Sequence, residues 1–163
     1  MNAMTRRLKD GFTIKNRYQI DGLVGVQDIG HLYQGRDHAS GRSRVRLRIP
    51  HKDRLGSMET SSMSGDLSLL RRLQHPNLGR VLDFGIVDRS QDLFVVQEWI
   101  EGEDLWSGTE RASFEETLGI LSHIVKSLHY LHARGLVHGC LNASNIILSQ
   151  NGKTKTPRLL DFG

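Results

Sequence analysis

Residues 137–148 read VHGCLNASNIIL, and residues 159–163 read LLDFG. The first stretch is a polar loop at the end of the best helix signal in the chain. That helix begins at Ser113, whose side chain can cap the backbone while Glu116 reaches back to complete a capping box. Phe114, Leu118, Leu121, Val125 and Leu128 then form one apolar stripe, joined by Ile120, Ile124 and Leu131. His132 and Arg134 occupy the last turn, where cations suit the helix dipole, and Gly135 is a natural terminator.

Working back from the loop, the N-terminal part reads as strands. Met1 to Asn16 lack periodicity and form an expected flexible arm, residues 1–17 in all. From Tyr18, YQIDGLVGVQDIGHLYQGRD alternates around closely spaced glycines and predicts two short strands joined by a glycine-containing turn. Ser40-Gly41 is a turn signal before a strictly alternating strand, Arg44-Val45-Arg46-Leu47-Arg48-Ile49, closed by Pro50, whose three arginines share one face. Leu67, Leu70 and Leu73 predict a short helix over 66–74, ending before Pro76, with weak helix formers at 61–65 obscuring its start. Two more strands are predicted near 80–87 and 93–100, around a polar turn at 88–92.

Composition narrows the function classes. At 163 residues the chain is long enough for a real core. One cysteine rules out an internal disulfide and suits a reducing, cytoplasmic setting. No apolar run approaches the roughly 20 residues of a membrane span, and the basic N-terminus leads into no signal-peptide core. The net charge of +4 comes from scattered basic residues without an RNA-binding motif, so a solvated basic surface is expected rather than a nucleic-acid partner. His129 and His132 stand one helical turn apart but have no cysteine or acidic partner at diagnostic spacing, and read as helix surface.

The loop and the LLDFG stretch together resemble the catalytic loop and metal-binding turn of protein kinases, whose pattern is H-R-D-L-x-x-x-N followed by D-F-G. His138, Leu141, Asn145 and Asp161 match; Gly139 and Cys140 stand where Arg and Asp belong. The resemblance implies an α+β fold: an antiparallel small lobe with one helix through the hinge (18–102), then the first helical part of a large lobe (103–163). It implies Asn145 and Asp161 as magnesium ligands, His138 packed against the D-F-G turn, and Cys140 at the position of the general base. Asn142 lies where the family has a phosphate-contacting lysine. Asp83-Phe84-Gly85 also spells D-F-G but precedes the hinge, in the wrong order to face the loop, and reads as a decoy.

The same resemblance extends through the small lobe. Gly25 to Leu32 resembles the glycine-rich loop G-x-G-x-x-G-x-V, with Gly25 and Gly30 kept, Leu32 at the valine position and Gln27 replacing the middle glycine. Val45-Arg46-Leu47-Arg48 aligns with V-A-I-K. Arg48 thus replaces the phosphate-pairing lysine, an exchange that is not conservative at a fitted site. Arg46 replaces the small residue roofing adenine, and either crowds the base or favours an anionic ligand. The bland alternative has Arg44, Arg46 and Arg48 solvated or paired with acids. Asp66 falls where the helix glutamate belongs, which suggests an Arg48–Asp66 strut. Gln97 occupies the gatekeeper position, and the backbone of Glu98 and Ile100 would meet an adenine edge.

These departures fall on functional positions, a pattern expected when a fold outlives its chemistry. The resemblance therefore implies a serine/threonine-type pseudokinase that binds ATP and magnesium weakly and acts through a protein partner. Two rivals stand beside it: an active atypical kinase in which another carboxylate supplies the base, and a kinase-shaped interaction module with no nucleotide. A reactive Cys140 beside His138 lacks any other sign of cysteine catalysis. The resemblance, rather than general domain-size rules, implies that a full kinase domain needs roughly 250 residues or more, so the chain is expected to be a truncated piece or remnant. The apolar stripe of the 113–134 helix should then lie exposed and drive association.

Overall fold

The computed structural model describes residues 7–27, 30–51, 67–88, 90–152 and 154–162. They form two compact units. One takes the described residues up to Arg71 together with Val81–Trp99; the other takes Arg72–Arg80 and the described residues from Ile100 onward.

The first unit is an antiparallel sheet of six strands: β1 (Thr13–Ile14), β2 (Tyr18–Gln27), β3 (Gly30–Asp37), β4 (Ser43–Pro50), β5 (Val81–Ile86) and β6 (Leu93–Glu98). Their order is β1-β2-β3-β4-β6-β5. The alternation in β4 sets the two faces. Val45, Leu47 and Ile49 point into a core shared with Ile14, Tyr18, Ile20, Tyr33, Phe94 and Val96, all nearly or wholly buried. The arginines of β4 take the other face.

Three expectations need correction in this unit. Part of the expected flexible arm is structured: β1 pairs with β2, and buried Leu8 donates its N–H to the Tyr33 hydroxyl at 3.0 Å. The sequence hides this because two residues of strand carry no period. The strands around the glycine turn are ten and eight residues long rather than short, with register irregularities at Ile20/Gly22 and Leu23/Gly25 that absorb the broken alternation. Among the described residues helix covers positions 67–72, ending earlier than expected; Asp66 and residues 61–65 lie outside the described residues.

Asp83, the decoy aspartate, is a sheet-anchoring residue. It accepts the Tyr18 hydroxyl at 2.7 Å and lies 3.7 Å from Arg17 Nη1. Arg17 in turn makes a two-pronged bond to buried Asp37, 2.7 Å on each arm.

The second unit holds β7 (Glu103–Asp104), α1 (Leu105–Thr109), α2 (Phe114–His132), β8 (Ile146–Asn151) and β9 (Thr154–Leu159), with sheet order β7-β8-β9. The capping box at Ser113 forms as expected, with Glu116 N to Ser113 Oγ at 3.2 Å and Ser113 N to Glu116 Oε2 at 2.7 Å. The chain leaves the helix through Gly135, which is left-handed at φ +73°. Ile120, Ile124, Ser127 and Leu131 form the buried face of α2, while Phe114, Leu118, Leu121 and Val125 are exposed. Segment 72–80 joins this unit through Asn77 and Gly79: Leu159 N donates to Asn77 O at 2.8 Å, and Gly79 N to Leu159 O at 2.7 Å. The β8–β9 hairpin was not anticipated; its signal is Gly152, at φ +63° just after Asn151, which pairs with Thr154 across the turn.

Candidate functional site

The polar face of the six-stranded sheet gathers most of the small-lobe candidates. Cross-strand pairing sets Gly25 beside Leu32, Leu32 beside Arg48, and Arg48 beside Val95; one step along, Gln34 pairs with Arg46 and Arg46 with Gln97. Paired residues share a face, so Gly25, Gln27, Leu32, Arg46, Arg48 and Gln97 converge on one side. Glu98 pairs with Val45 and belongs to the opposite register.

Arg46 and Arg48 are buried, at 9% and 5% exposure, which overturns a solvated reading for both. Pairing of β4 with β3 and β6 sets Leu32 and Val95 beside Arg48, and Gln34 and Gln97 beside Arg46, on the same face. Arg44, near the exposed start of β4, lays its guanidinium over the Trp99 ring at 4.6 Å. Arg48 Nη2 donates to Gln27 Oε1 at 2.9 Å, so two departures from the kinase pattern touch each other. That bond was invisible in the sequence, because it depends on strand register across β3. The expected strut to Asp66 lies outside the described residues.

Gly30 is required by geometry. Its φ is +146°, and a Cβ there would run into the Ile49 carbonyl oxygen and Pro50 Cα. Gly25 is different: nothing lies within 4 Å of a Cβ built on it. The residues between Gln27 and Gly30 lie outside the described set.

In the second unit the loop residues 137–145 are built around Asn145. Its side-chain Nδ2 donates to the Cys140 carbonyl at 2.8 Å, and its backbone carbonyl accepts Leu160 N–H at 2.8 Å, which draws the start of the D-F-G stretch alongside the loop. Asn142 Oδ1 accepts Asn145 N–H at 3.1 Å and Asn142 Nδ2 donates to Cys140 O at 3.2 Å, capping the 3₁₀ turn Ala143–Asn145. Asn142 thus has a loop-shaping role that the sequence reading did not foresee. Gly139 takes the left-handed region at φ +73°, where an arginine would be strained.

His138 is buried at 3% exposure and meets the Phe162 ring edge-on at 6.1 Å. Burial pushes its pKa below the ordinary histidine value, against smaller opposing pulls from its own backbone and then from the Asp161 charge. Neither ring nitrogen bonds another described residue, so the imidazole is a packing group of the turn. Cys140 is a free, half-buried thiol.

The carboxamide of Asn145 is the best indication of a metal position. The residue is 1% exposed, and its Oδ1 has no hydrogen-bond partner among the described residues although Nδ2 is committed. A buried acceptor left open in this way suits a hard cation. Asp161 adopts φ +58°, a conformation sparsely populated by residues other than glycine, and such outliers cluster at functional sites. Among the described residues, no cluster of three or more His, Cys, Asp or Glu could hold a metal, so an all-protein cage is not what this pair offers. His129 and His132 are both exposed on α2.

Comparison with known proteins bears on these features. The protein kinase domain family model matches residues 18–163. Among relatives, a CBL-interacting serine/threonine-protein kinase (number 14) of Arabidopsis thaliana is 27% identical over 151 residues, covering 90% of this chain and 33% of that protein. The DNA damage-responsive serine/threonine-protein kinase RqkA of Deinococcus radiodurans is 28% identical, covering 96% of this chain and 23% of the relative. The solved PknI kinase domain of Mycobacterium tuberculosis superposes with a TM-score of 0.78 at 23% identity, covering 96% of this chain and 61% of that one; at this identity the likeness shows the fold. The chain spans a third or less of the length of these two relatives.

Proposed function

Because the chain belongs to the protein kinase domain family, we propose that it is a serine/threonine-kinase-like module that binds ATP and magnesium weakly and acts mainly by binding, with phosphoryl transfer impaired. The observation that carries this reading is the loop around Cys140. Its frame is intact, with the Cys140 carbonyl held by Asn145 and Asn142, yet the side chain at the base position is a thiol. Loss of a positioned general base typically lowers rate by about 10² to 10⁴.

Asn145 and Asp161 would hold magnesium, which supplies charge neutralisation at phosphate oxygens. Asn145 does this through its open, buried Oδ1. Gly25 and Gly30 leave the backbone of the β2–β3 end uncluttered, Arg48 supplies a cation, Gln97 and Leu32 line the same face, and the backbone of Glu98 and Ile100 offers adenine its polar edge. Arg46 on that face narrows the room for a base and is the reason affinity is expected to be weak. A protein partner and a reducing, cytoplasmic setting belong to this proposal. They rest on the single cysteine and on the departures at functional positions. Among the described residues no helix is long and apolar enough to cross a membrane.

The retained Asn145 and Asp161 favour a second reading, an active atypical kinase, which the serine/threonine kinases among the relatives also support. A thermal-shift titration with ATP plus magnesium, comparing the chain with Asp161→Ala, tests the binding claim. A saturable, magnesium-dependent rise lost in the variant supports it; no shift at millimolar ATP on folded protein sinks it. Radiolabel transfer by the unmodified chain, undiminished relative to Cys140→Asp, would favour the second reading.

A further inference from the structure

We propose that the Gln27 side chain is an internal competitor for the phosphate-bearing end of a nucleotide, holding Arg48 until a polyphosphate displaces it; this rests on the nucleotide-binding reading above. Gln27 is the last residue of β2, and Arg48 lies two strands away in β4. The bond from Arg48 Nη2 to Gln27 Oε1, 2.9 Å long, therefore spans β3 on the polar face, beside Leu32. Arg48 is 5% exposed and makes further interactions as well, so its guanidinium is an ordered group with few directions left in which to meet a ligand.

The chemistry follows from what each acceptor offers. A glutamine carbonyl is neutral, whereas a phosphate oxygen carries charge and makes the stronger, charge-assisted bond to guanidinium. A polyphosphate can therefore replace Gln27, but only after breaking a bond already made, and its apparent affinity falls by that amount. A glycine at position 27 could not raise this barrier. Adenosine has no phosphate and no reason to disturb Gln27. The contact thus discriminates against the triphosphate end of a ligand and leaves its nucleoside end untouched.

Isothermal titration of ATP with magnesium, inorganic tripolyphosphate and adenosine into the 163-residue chain, Gln27→Ala and Gln27→Glu tests this. Gln27→Ala should tighten ATP and tripolyphosphate about tenfold to a hundredfold, the scale of one net hydrogen bond to a charged group. Gln27→Glu, which turns the acceptor into an anion, should weaken both at least as much, with adenosine within about twofold across all three proteins. Equal ATP affinity in the wild type and Gln27→Ala, or adenosine shifting in parallel with ATP, overturns the competition while leaving nucleotide binding in place. Binding of no ligand by any of the three overturns the nucleotide reading itself and the competition with it.

Discussion

Replacing Asp37 by asparagine should destabilise the six-stranded unit by about 1–2 kcal/mol at pH 7. The Asp37 carboxylate accepts Arg17 Nε and Nη2, each at 2.7 Å, and also Ala39 N–H and the Ser40 hydroxyl, each at 2.9 Å. The Arg17 guanidinium, with smaller help from Ser40 and Ala39, outweighs burial and holds the carboxyl at about 2 instead of 3.8. At about 1.4 kcal/mol per pH unit this displacement corresponds to roughly 2.4 kcal/mol. The Asp37 side chain is 3% exposed but that of Arg17 is 40% exposed, so solvent screens part of the interaction and the lower range is expected. Asparagine keeps an oxygen for the Ala39 N–H and removes the charge, which isolates the ionic part. Because the folded pKa lies below the unfolded one, the stabilisation is complete above about pH 4 and is lost as pH falls towards 2, with about half gone at pH 3. Urea unfolding followed by circular dichroism at pH 7, 5 and 3 reads the gap between the two proteins. It should be equal at pH 7 and 5 and about half as large at pH 3; in a thermal melt at pH 7 the loss is about 3–6 °C. A gap below about 0.5 kcal/mol at pH 7, or one as large at pH 3, would refute the reasoning.

Gly30→Ala should cost about 2 kcal/mol or more, because both its φ and the Ile49 carbonyl oppose a Cβ. Gly25→Ala should stay within about 0.5 kcal/mol, and equal losses in urea midpoints would contradict this account. Burial depresses the His138 pKa, so its contribution to stability is full above the unfolded value near 6.5 and is lost as pH falls through that value towards the folded one. His138→Phe should therefore flatten the decline in melting temperature between pH 7 and 5; an unchanged slope counts against it. Phe114, Leu118, Leu121 and Val125 present an exposed apolar row on α2. The 163-residue chain should self-associate and bind ANS, Leu118→Glu with Leu121→Glu should suppress both, and a monodisperse, ANS-negative monomer in light scattering would remove this expectation.

Legibility differed with the range of the interaction. The β4 strand, the Ser113–Glu116 cap and the Gly135 exit were readable because each depends on neighbours within a few residues. The loop motif was equally plain as a pattern, but its construction was not. That Asn142 caps a turn and Asn145 holds the Cys140 carbonyl depends on how the 3₁₀ turn winds. Gln27 and Arg48 stand 21 positions apart in the chain, and nothing local in the sequence indicates that they bond.

By itself the sequence determined the main small-lobe strands β2 to β6, the long helix α2 and the chemical inventory of the loop, because apolar period, capping residues and turn residues act locally. Only the tertiary structure decided which face each side chain joined and whom it met. Arg46 and Arg48 are buried on a face whose neighbours there, Leu32, Gln34, Val95 and Gln97, are set by the pairing of β4 with β3 and β6. The open acceptor of Asn145 arises because its amide nitrogen is already committed to Cys140. Both are matters of register and long-range pairing, and a one-dimensional period carries no record of either.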